Sequence, residues 1–430
     1  MMDLLEIQPL RRPPDAVVDV PGSKSITNRA LLLAALADGR SQIENALYSD
    51  DTRYMAAALC GLGIDVAEEE DAARYVVLGG GGSFPARKAD LFVGNAGTAA
   101  RFLTATAALG HGVFRIDGVR RMRQRPIGDL LDALQQLGVD ARSEEENGCP
   151  PIIVRANGLR GGVATIRADV SSQYVSAVLM VAPLSVEGVE LHLEGELVSE
   201  PYIELTVRMM EQWGAVVGRP DPRTYRVPGG QKYVARTYSV EPDASSASYF
   251  LAAAAVTGGR VRVPGLGPHA LQGDVAFAGV LEQMGCSVDV DENGVEVRGP
   301  DRLRGVDVDM NAVSDTVMTL AAIAPFADRP TRIRNVAHIR HKETDRIHAL
   351  VTELRRLGVC AEERDDGLLI HPCDRLAPCT VQTYDDHRMA MSFAVAGLRA
   401  PGIRIADPDC VAKTFPDFFE RLRLLGDASP

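Results

Sequence analysis

The sequence predicts a two-domain α/β protein built from six copies of one unit, three to each domain. Three observations carry this. The chain has 430 residues, more than one ordinary hydrophobic core supports. A helix that ends on a large apolar residue and glycine, followed by a β-type run, recurs six times. A second kind of helix, rich in alanine and almost free of charge, recurs six times between those copies.

The first series reads LCGLGIDV, LQQLGVDA, MEQWGAVV, LEQMGCSV, LRRLGVCA and LRLLGD, with glycines at Gly63, Gly138, Gly214, Gly285, Gly358 and Gly426 spaced 75, 76, 71, 73 and 68 residues apart. Glycine suits the position just past a helix, where φ is positive. After the first five copies the pattern predicts a strand, a turn and a second strand, as in VDVDENGVEVRGP. The second series starts at Ser25, Thr98, Ser172, Ser245, Asp315 and His387, spaced 73, 74, 73, 70 and 72 residues apart. Helices this apolar all round are expected to be buried, and Ser, Thr or Asp near each start suits an N-cap. Two interleaved series with one period point to a repeated unit of two helices and about four strands.

The sixth copy stops at Pro430, after its Leu-Gly step and before its strands. The segment LEIQPL near the N-terminus is the expected donor. That places residues 21–240 in one domain and residues 1–20 plus 241–430 in the other. The chain then crosses twice, near 20–21 and 240–241, as a hinge does around a closing cleft.

Apolar residues make up 46% and charged residues 24%, an ordinary globular composition, and the net charge is −12. An acidic chain is not expected to bind nucleic acid or an acidic membrane through its general surface, although a local cationic pocket for a small anion is compatible with it. The 7 Cys are scattered, with no Cys-x-x-Cys pair, which points to free thiols in a reducing compartment. The start, MMDLLEIQPLRRPP, is acidic where a signal peptide would be basic. No uncharged run is apolar enough to span a bilayer, and the closest, Tyr174–Val186, is too short. A cytosolic location is the expectation.

Charged and hydroxyl residues collect at helix starts. PGSKSITNR carries Lys24, Ser25 and Arg29. For Ser25 a turn and N-cap is the simpler reading, but Lys24 opposes the helix dipole by roughly 0.3–1 kcal/mol, a conflict that a bound anion would remove. GNAGTAAR supplies Asn95, Gly97, Thr98 and Arg101, a glycine-bearing helix start that suits phosphate or carboxylate and equally a tight turn. RRMRQRPIGD holds Arg125 before Pro126, read as the first residue of another helix. Ser171, Ser172 and Gln173 open the third buried helix, and SEPYIELT carries Ser199 and Tyr202.

HIRHKETDRIHALVTELRRLG has an apolar face of Ile347, Leu350, Val351, Leu354 and Leu357, with Lys342, Glu343 and Arg346 at its start. His338, His341 and His348 lack the i, i+4 spacing of a helical metal pair. Farther on lie Asp386, His387, Arg388 and Lys413, and Asp315 opens its buried helix, where an N-cap is the simpler reading. Each feature alone has a local explanation. Together they place Lys24, Arg29, Arg125, Lys342, Arg346, Arg388 and Lys413 at equivalent ends of repeated units, which predicts one cleft for strongly anionic ligands.

The blocks PGSKSITNRALLLAAL, LFVGNAGTAAR, RMRQRPIGDLLDAL, SSQYVSAVLMVAPL, SEPYIE, EPDASSASYFLAAA, HKETDRI, YDDHRMAMSFA and AKTFPDFFERL resemble the EPSP synthases, in the same order and over nearly the whole chain. The resemblance implies an inside-out α/β barrel fold of two domains with three units each. It implies transfer of the enolpyruvyl group of phosphoenolpyruvate to the 5-hydroxyl of shikimate 3-phosphate, with no metal or organic cofactor, by a chain that is commonly a monomer. It assigns Lys24, Ser25, Arg29, Ser171, Ser172, Gln173, Ser199, Tyr202, Asp315, His338 and Lys342 to shikimate 3-phosphate. It assigns Lys24, Asn95, Gly97, Thr98, Arg125, Gln173, Arg346, Arg388 and Lys413 to phosphoenolpyruvate. Asp315 is the implied acceptor of the hydroxyl proton, and Glu343 the implied acid and base at the methylene carbon, with Lys24 beside them.

Two positions depart from the family pattern. His338 stands where many bacterial members carry Asn, and Phe102 where well-known members carry Pro, so glyphosate sensitivity does not follow from Gly97 alone. One alternative is the related transferase acting on UDP-N-acetylglucosamine. Its loop usually carries a reactive Cys, and residues 120–128 here contain none. A non-catalytic anion-binding protein on the same repeat is the other.

Overall fold

A computed structural model describes residues 4–427; residues 1–3 and 428–430, the extreme ends of the predicted C-terminal domain, lie outside the described residues. Two compact units form: residues 22–240, and residues 1–21 with 241–430.

Each unit repeats one motif three times. Copy two shows it whole. Strand Lys88–Phe92 leads into the buried helix Gly97–Ala107 and strand His111–Asp117; helix Gly128–Gln136 and the strands Asp140–Ser143 and Ile152–Asn157 follow. The first two strands pair in parallel around the buried helix, which serves as the long crossover that such pairing needs. The last two close an antiparallel hairpin against them. The chain thus forms five four-stranded sheets and one three-stranded sheet, and among the described residues no strand pairing joins them into a closed barrel. The expected unit of about four strands therefore holds for five copies, and the sixth sheet has three.

The turns between helix and hairpin follow from glycine. Gly63, Gly138, Gly214, Gly285 and Gly358 have φ from 82° to 98°, a region that β-carbons disfavour. Gly426 differs from the expectation: the last helix, Phe418–Asp427, runs through it.

The Ala-rich helices are buried as their sequences demand. Every residue of Gly97–Ala107 is buried, and its hydroxyls are satisfied within the helix, Thr104 donating to the Ala100 carbonyl at 2.7 Å and Thr106 to Phe102 at 2.8 Å. Side chains of Ser23, Ser171, Asp243 and Asp386 cap four of the six.

Two strands are exchanged relative to sequence order. Asp15–Val17 precedes the Lys24 helix, yet pairs in parallel with Arg260–Pro264. Thr237–Ser239 precedes the helix Ala244–Thr257, yet pairs in parallel with Asp38–Glu44. In the other four copies the strand before a buried helix pairs with the strand after it. Leu4–Glu6 fills the sixth sheet, antiparallel to Ile403–Ala406. Ile7 continues this attachment: its N–H donates to the Ile403 carbonyl at 2.9 Å, and its side chain is buried against Gly397, where a β-carbon would lie 2.7 Å from Ile7 Cβ. Ile7→Ala should lower the stability of this unit by about 2–4 kcal/mol in denaturant titration, with no change in net charge.

Candidate functional site

In the unit of residues 1–21 and 241–430, one buried guanidinium organises the charged residues. Arg346, 1% exposed, sits in the first turn of the helix Arg346–Arg356. The helix is fixed there because its apolar face, Ile347, Leu350, Val351, Leu354 and Leu357, is buried, and because Asp345 caps it, accepting from His348 N–H. Arg346 Nε donates to Asp386 Oδ2 at 2.8 Å, Nη2 to Glu343 Oε2 at 2.8 Å, and Nη1 to Asp315 Oδ1 at 3.3 Å. These carboxylates hold its pKa above the ordinary arginine value against the opposing effect of burial.

Asp315 is shared further. Lys342 Nζ lies 2.6 Å from its Oδ1, and Arg388 Nη2 lies 2.9 Å from its Oδ2. Burial alone would raise the Asp315 pKa, but Arg388, Lys342 and Arg346 together hold it well below the usual carboxylate range. Burial pushes the Lys342 pKa down, and Asp315 opposes that. Asp315 is not the helix cap that its position suggested. It lies in the 3₁₀ segment Asn311–Thr316, bent at Val313, and the α-helix proper begins at Val317. The bend leaves its carboxylate to the cations.

Arg388 is set by the loop before it. Asp386, fully buried, caps the helix His387–Gly397 through Arg388 N–H at 2.9 Å while also binding Arg346. Tyr384 and Asp385 just before it both have positive φ, 57° and 56°, a conformation that costs non-glycine residues on the order of 1–3 kcal/mol each. Arg388 Nη1 reaches the hydroxyl of buried Tyr249 at 3.3 Å. Lys413 is buried and its charge acts on Asp385, whose pKa is raised mainly by burial.

His338 is buried in the 3₁₀ segment Ala337–His341. Burial, reinforced by the Lys342 charge, pushes its pKa down to about 3. Its imidazole is therefore neutral at pH 7.

The cationic character expected of this cluster is offset here. Lys342, Arg346 and Arg388 face Asp315, Glu343 and Asp386, since buried cations without counter-ions are costly.

The unit of residues 22–240 is different. Arg125 donates from Nη1 to the Asn95 carbonyl at 3.0 Å and to Asn95 Oδ1 at 3.3 Å. Its guanidinium lies against Gly97, where an added β-carbon would fall 2.4 Å from Nη2. Gln173 Nε2 donates to Thr98 Oγ1 at 3.2 Å. Asn95, Gly97, Thr98, Arg125 and Gln173 thus form one connected group at two helix starts. Arg125 does not precede a helix at Pro126: the helix begins at Gly128, and the Pro126 carbonyl instead accepts from Arg101 Nη2 and Tyr174 Oη.

Arg29, 2% exposed, donates to Thr206 Oγ1 at 2.7 Å and to the carbonyls of Ser25 and Tyr202 at 3.0 and 3.2 Å. It also lies 5.1 Å from the Phe102 ring centroid, within cation–π reach. Burial lowers its pKa to about 10. Lys24 lies in the first turn of its helix, capped by Ser23, with Nζ 3.4 Å from buried Asp51. Asp51 answers the dipole conflict for which an anion was expected. Ser171 caps the helix Ser172–Val181, donor Gln173 N–H, and Ser199 precedes the helix Glu200–Gln212 with φ 52°.

Arg29 and Arg125 are thus buried guanidiniums whose hydrogen bonds within this unit go to neutral oxygens. The sequence pointed to Asp386 without assigning it a role, and it gave no sign of Tyr249 or Asp51 as parts of the clusters. Asp386 had a signal, a helix-capping Asp ahead of an Ala-rich run; the other two look like ordinary helix residues.

The sequence model of EPSP synthase (3-phosphoshikimate 1-carboxyvinyltransferase) matches residues 11–422. The chain belongs to the EPSP synthase family. It is 53% identical over 420 residues to the 3-phosphoshikimate 1-carboxyvinyltransferase of Trichormus variabilis, covering 98% of each chain. It is 48% identical to that of Paraburkholderia phytofirmans, covering 99% of each. It is 49% identical to the chloroplastic enzyme of Arabidopsis thaliana, covering 97% of this chain and 83% of that one. A solved structure of EPSP synthase from Acinetobacter baumannii matches with a TM-score of 0.81 at 24% identity, covering 98% of each chain, a likeness of fold. The fold is of the expected enolpyruvyl-transferase type.

The depressed His338 pKa gives a pH prediction. The unfolded imidazole titrates near 6.5 and the folded one near 3, so the unfolded chain binds the extra proton between these values. The stability tied to neutral His338 is complete above about pH 6.5 and is lost as pH falls toward 3, by at most about 1.4 kcal/mol per pH unit. His338→Asn should flatten this part of the acid limb in denaturant titrations at pH 4–7.

Proposed function

We propose that this chain transfers the enolpyruvyl group of phosphoenolpyruvate to the 5-hydroxyl of shikimate 3-phosphate, giving 5-enolpyruvylshikimate 3-phosphate and phosphate. Its family membership supports this, and so does the chemistry of the two clusters. The observation that carries the reading is the contrast between them. One unit holds buried Arg29 and Arg125 with neutral partners, and the other holds Asp315 and Glu343 among cations. The first suits anionic substrates, and the second adds proton acceptors and donors.

Lys24, Ser25, Arg29, Ser171, Ser172, Gln173, Ser199, Tyr202, Asp315, His338 and Lys342 are proposed to hold shikimate 3-phosphate. Asn95, Gly97, Thr98, Arg125, Arg346, Arg388 and Lys413, with Lys24 and Gln173, are proposed to hold phosphoenolpyruvate. In addition, the 5-hydroxyl oxygen attacks C2 of phosphoenolpyruvate, Asp315 accepts the hydroxyl proton, and Glu343 delivers a proton to the methylene carbon. In elimination Glu343 takes a proton back from the resulting methyl group, and the C–O bond to phosphate breaks. Lys24 offsets charge on the leaving phosphate.

A carboxylate held far below its usual pKa is a weak base. As a counter-ion for Arg346 and Arg388, phosphoenolpyruvate would replace Asp315, and the Asp315 pKa would rise when the base is needed. The substrate thus switches on its own base. Substrate binding is proposed to act on both units through a hinge at the chain crossings near 20–21 and 240–241. Among the described residues no helix is long and apolar enough to cross a membrane; a cytoplasmic monomer is proposed.

The test is phosphate release by the purified protein, which should require both substrates, repeated with glyphosate. Binding of both without turnover would favour the anion-binding alternative, and turnover with UDP-N-acetylglucosamine the other transferase. Asp315→Ala should lower kcat by about 10²–10⁴-fold with a much smaller loss of substrate affinity; equal losses would make it a ligand only. Gly97→Ala should displace the Arg125 guanidinium and raise KM for phosphoenolpyruvate by about tenfold or more, leaving KM for shikimate 3-phosphate within about twofold in the same steady-state assay.

A further inference from the structure

The helix that carries Arg346 also carries a second buried carboxylate. Glu353 is fully buried and lies seven residues after Arg346, two turns on and on the same face. Its Oε2 accepts from Gln382 N–H at 3.0 Å, and its Oε1 accepts from the Tyr384 hydroxyl at 2.7 Å. Arg356 Nη1 donates to both oxygens, at 3.0 and 2.7 Å.

The helix therefore grips the segment 382–386 at two points. Arg346 holds Asp386 at one end, and Glu353 holds Gln382 and Tyr384 at the other. The gripped segment contains two consecutive non-glycine residues of positive φ, Tyr384 and Asp385. Such a conformation persists only where the surroundings over-determine it. If the Glu353 end is released, the strained pair can relax and carry Asp386 with it. Asp386 caps the helix of Arg388 and orients Arg346.

We infer that Glu353 is a positioning residue of the phosphoenolpyruvate site: by holding the Gln382–Tyr384 backbone and hydroxyl it keeps the strained loop wound, and through Asp386 it sets the directions of Arg346 and Arg388. The inference rests on the proposed reaction, in which those two arginines bind phosphoenolpyruvate. A carboxylate that only satisfied Arg356 would have no reason to take the two loop donors as well.

The experiment compares the full-length wild type, Glu353→Gln and Tyr384→Phe in the two-substrate assay and in thermal melting. Glu353→Gln keeps the shape but loses the charge and one acceptor. Its KM for phosphoenolpyruvate should rise at least fivefold while KM for shikimate 3-phosphate stays within twofold. Tyr384→Phe removes one hydroxyl at a partly exposed ring and should shift the same constant in the same direction by a smaller factor. It serves as the test if Glu353→Gln does not fold. Adding Tyr384→Phe to Glu353→Gln should change little further, because both act on one contact. Unchanged constants, or an equal rise in both KM values with a lower Tm, overturn the inference. If the wild type binds phosphoenolpyruvate but does not turn over, the proposed reaction fails separately, and the Kd of each variant for phosphoenolpyruvate still decides the role of Glu353.

Discussion

The almost fully buried guanidinium of Arg346 is matched by carboxylates on three separate segments. Asp315 comes from a bent 3₁₀ turn, Glu343 from the loop before its own helix, and Asp386 from the cap of another helix. Breaking one member of such a buried set costs about 3–5 kcal/mol, so the segments are held in register with one another. The rest of this cluster depends on that register. Lys342 and Arg388 meet across Asp315 only because the 3₁₀ turn and the cap have been brought to Arg346.

The repeated motif explains why these groups come from helix starts. Each buried helix is a crossover between parallel strands, and its apolar length has no room for charge. Charged side chains collect near its first turns, where free backbone N–H groups and the helix dipole favour anions, and the hydroxyls farther along, such as Thr104 and Thr106, are satisfied by the helix backbone. The same geometry recurs in both units with different chemistry. In residues 22–240 it presents Arg29 and Arg125 to neutral oxygens, and in the other unit it packs cations against carboxylates. A repeat that supplies one scaffold has been given two electrostatic roles.

The exchange of two strands has a physical sense in this setting. A strand pairs where its edge partner is exposed and its apolar face can be buried. Asp15–Val17 and Thr237–Ser239 each complete a sheet whose buried helix lies in the other stretch of sequence. Leu4–Glu6 likewise pairs with the sixth sheet, far off in the chain, with Ile7 sealed over Gly397. These pairings make one unit discontinuous.

By itself the sequence determined the repeat, the two kinds of helix and the residues at their starts. Periodic apolarity, five positive-φ glycines and capping residues are local signals, written within a few residues of where they act. It also marked Asp315, Glu343 and Arg346 as neighbours in chemistry, through motifs shared with a family. Tertiary structure decided what those residues do to one another. Gly426 stayed helical, Asp315 became a counter-ion because of a bend at Val313, and Lys24 was matched by Asp51 from the next helix. Asp386, Tyr249 and Glu353 joined the clusters through contacts spanning tens to more than a hundred residues. Burial and the partners of a charge depend on the whole packed chain, so a local pattern marks Asp386 as a cap but not what it binds, and it marks Tyr249 and Glu353 not at all.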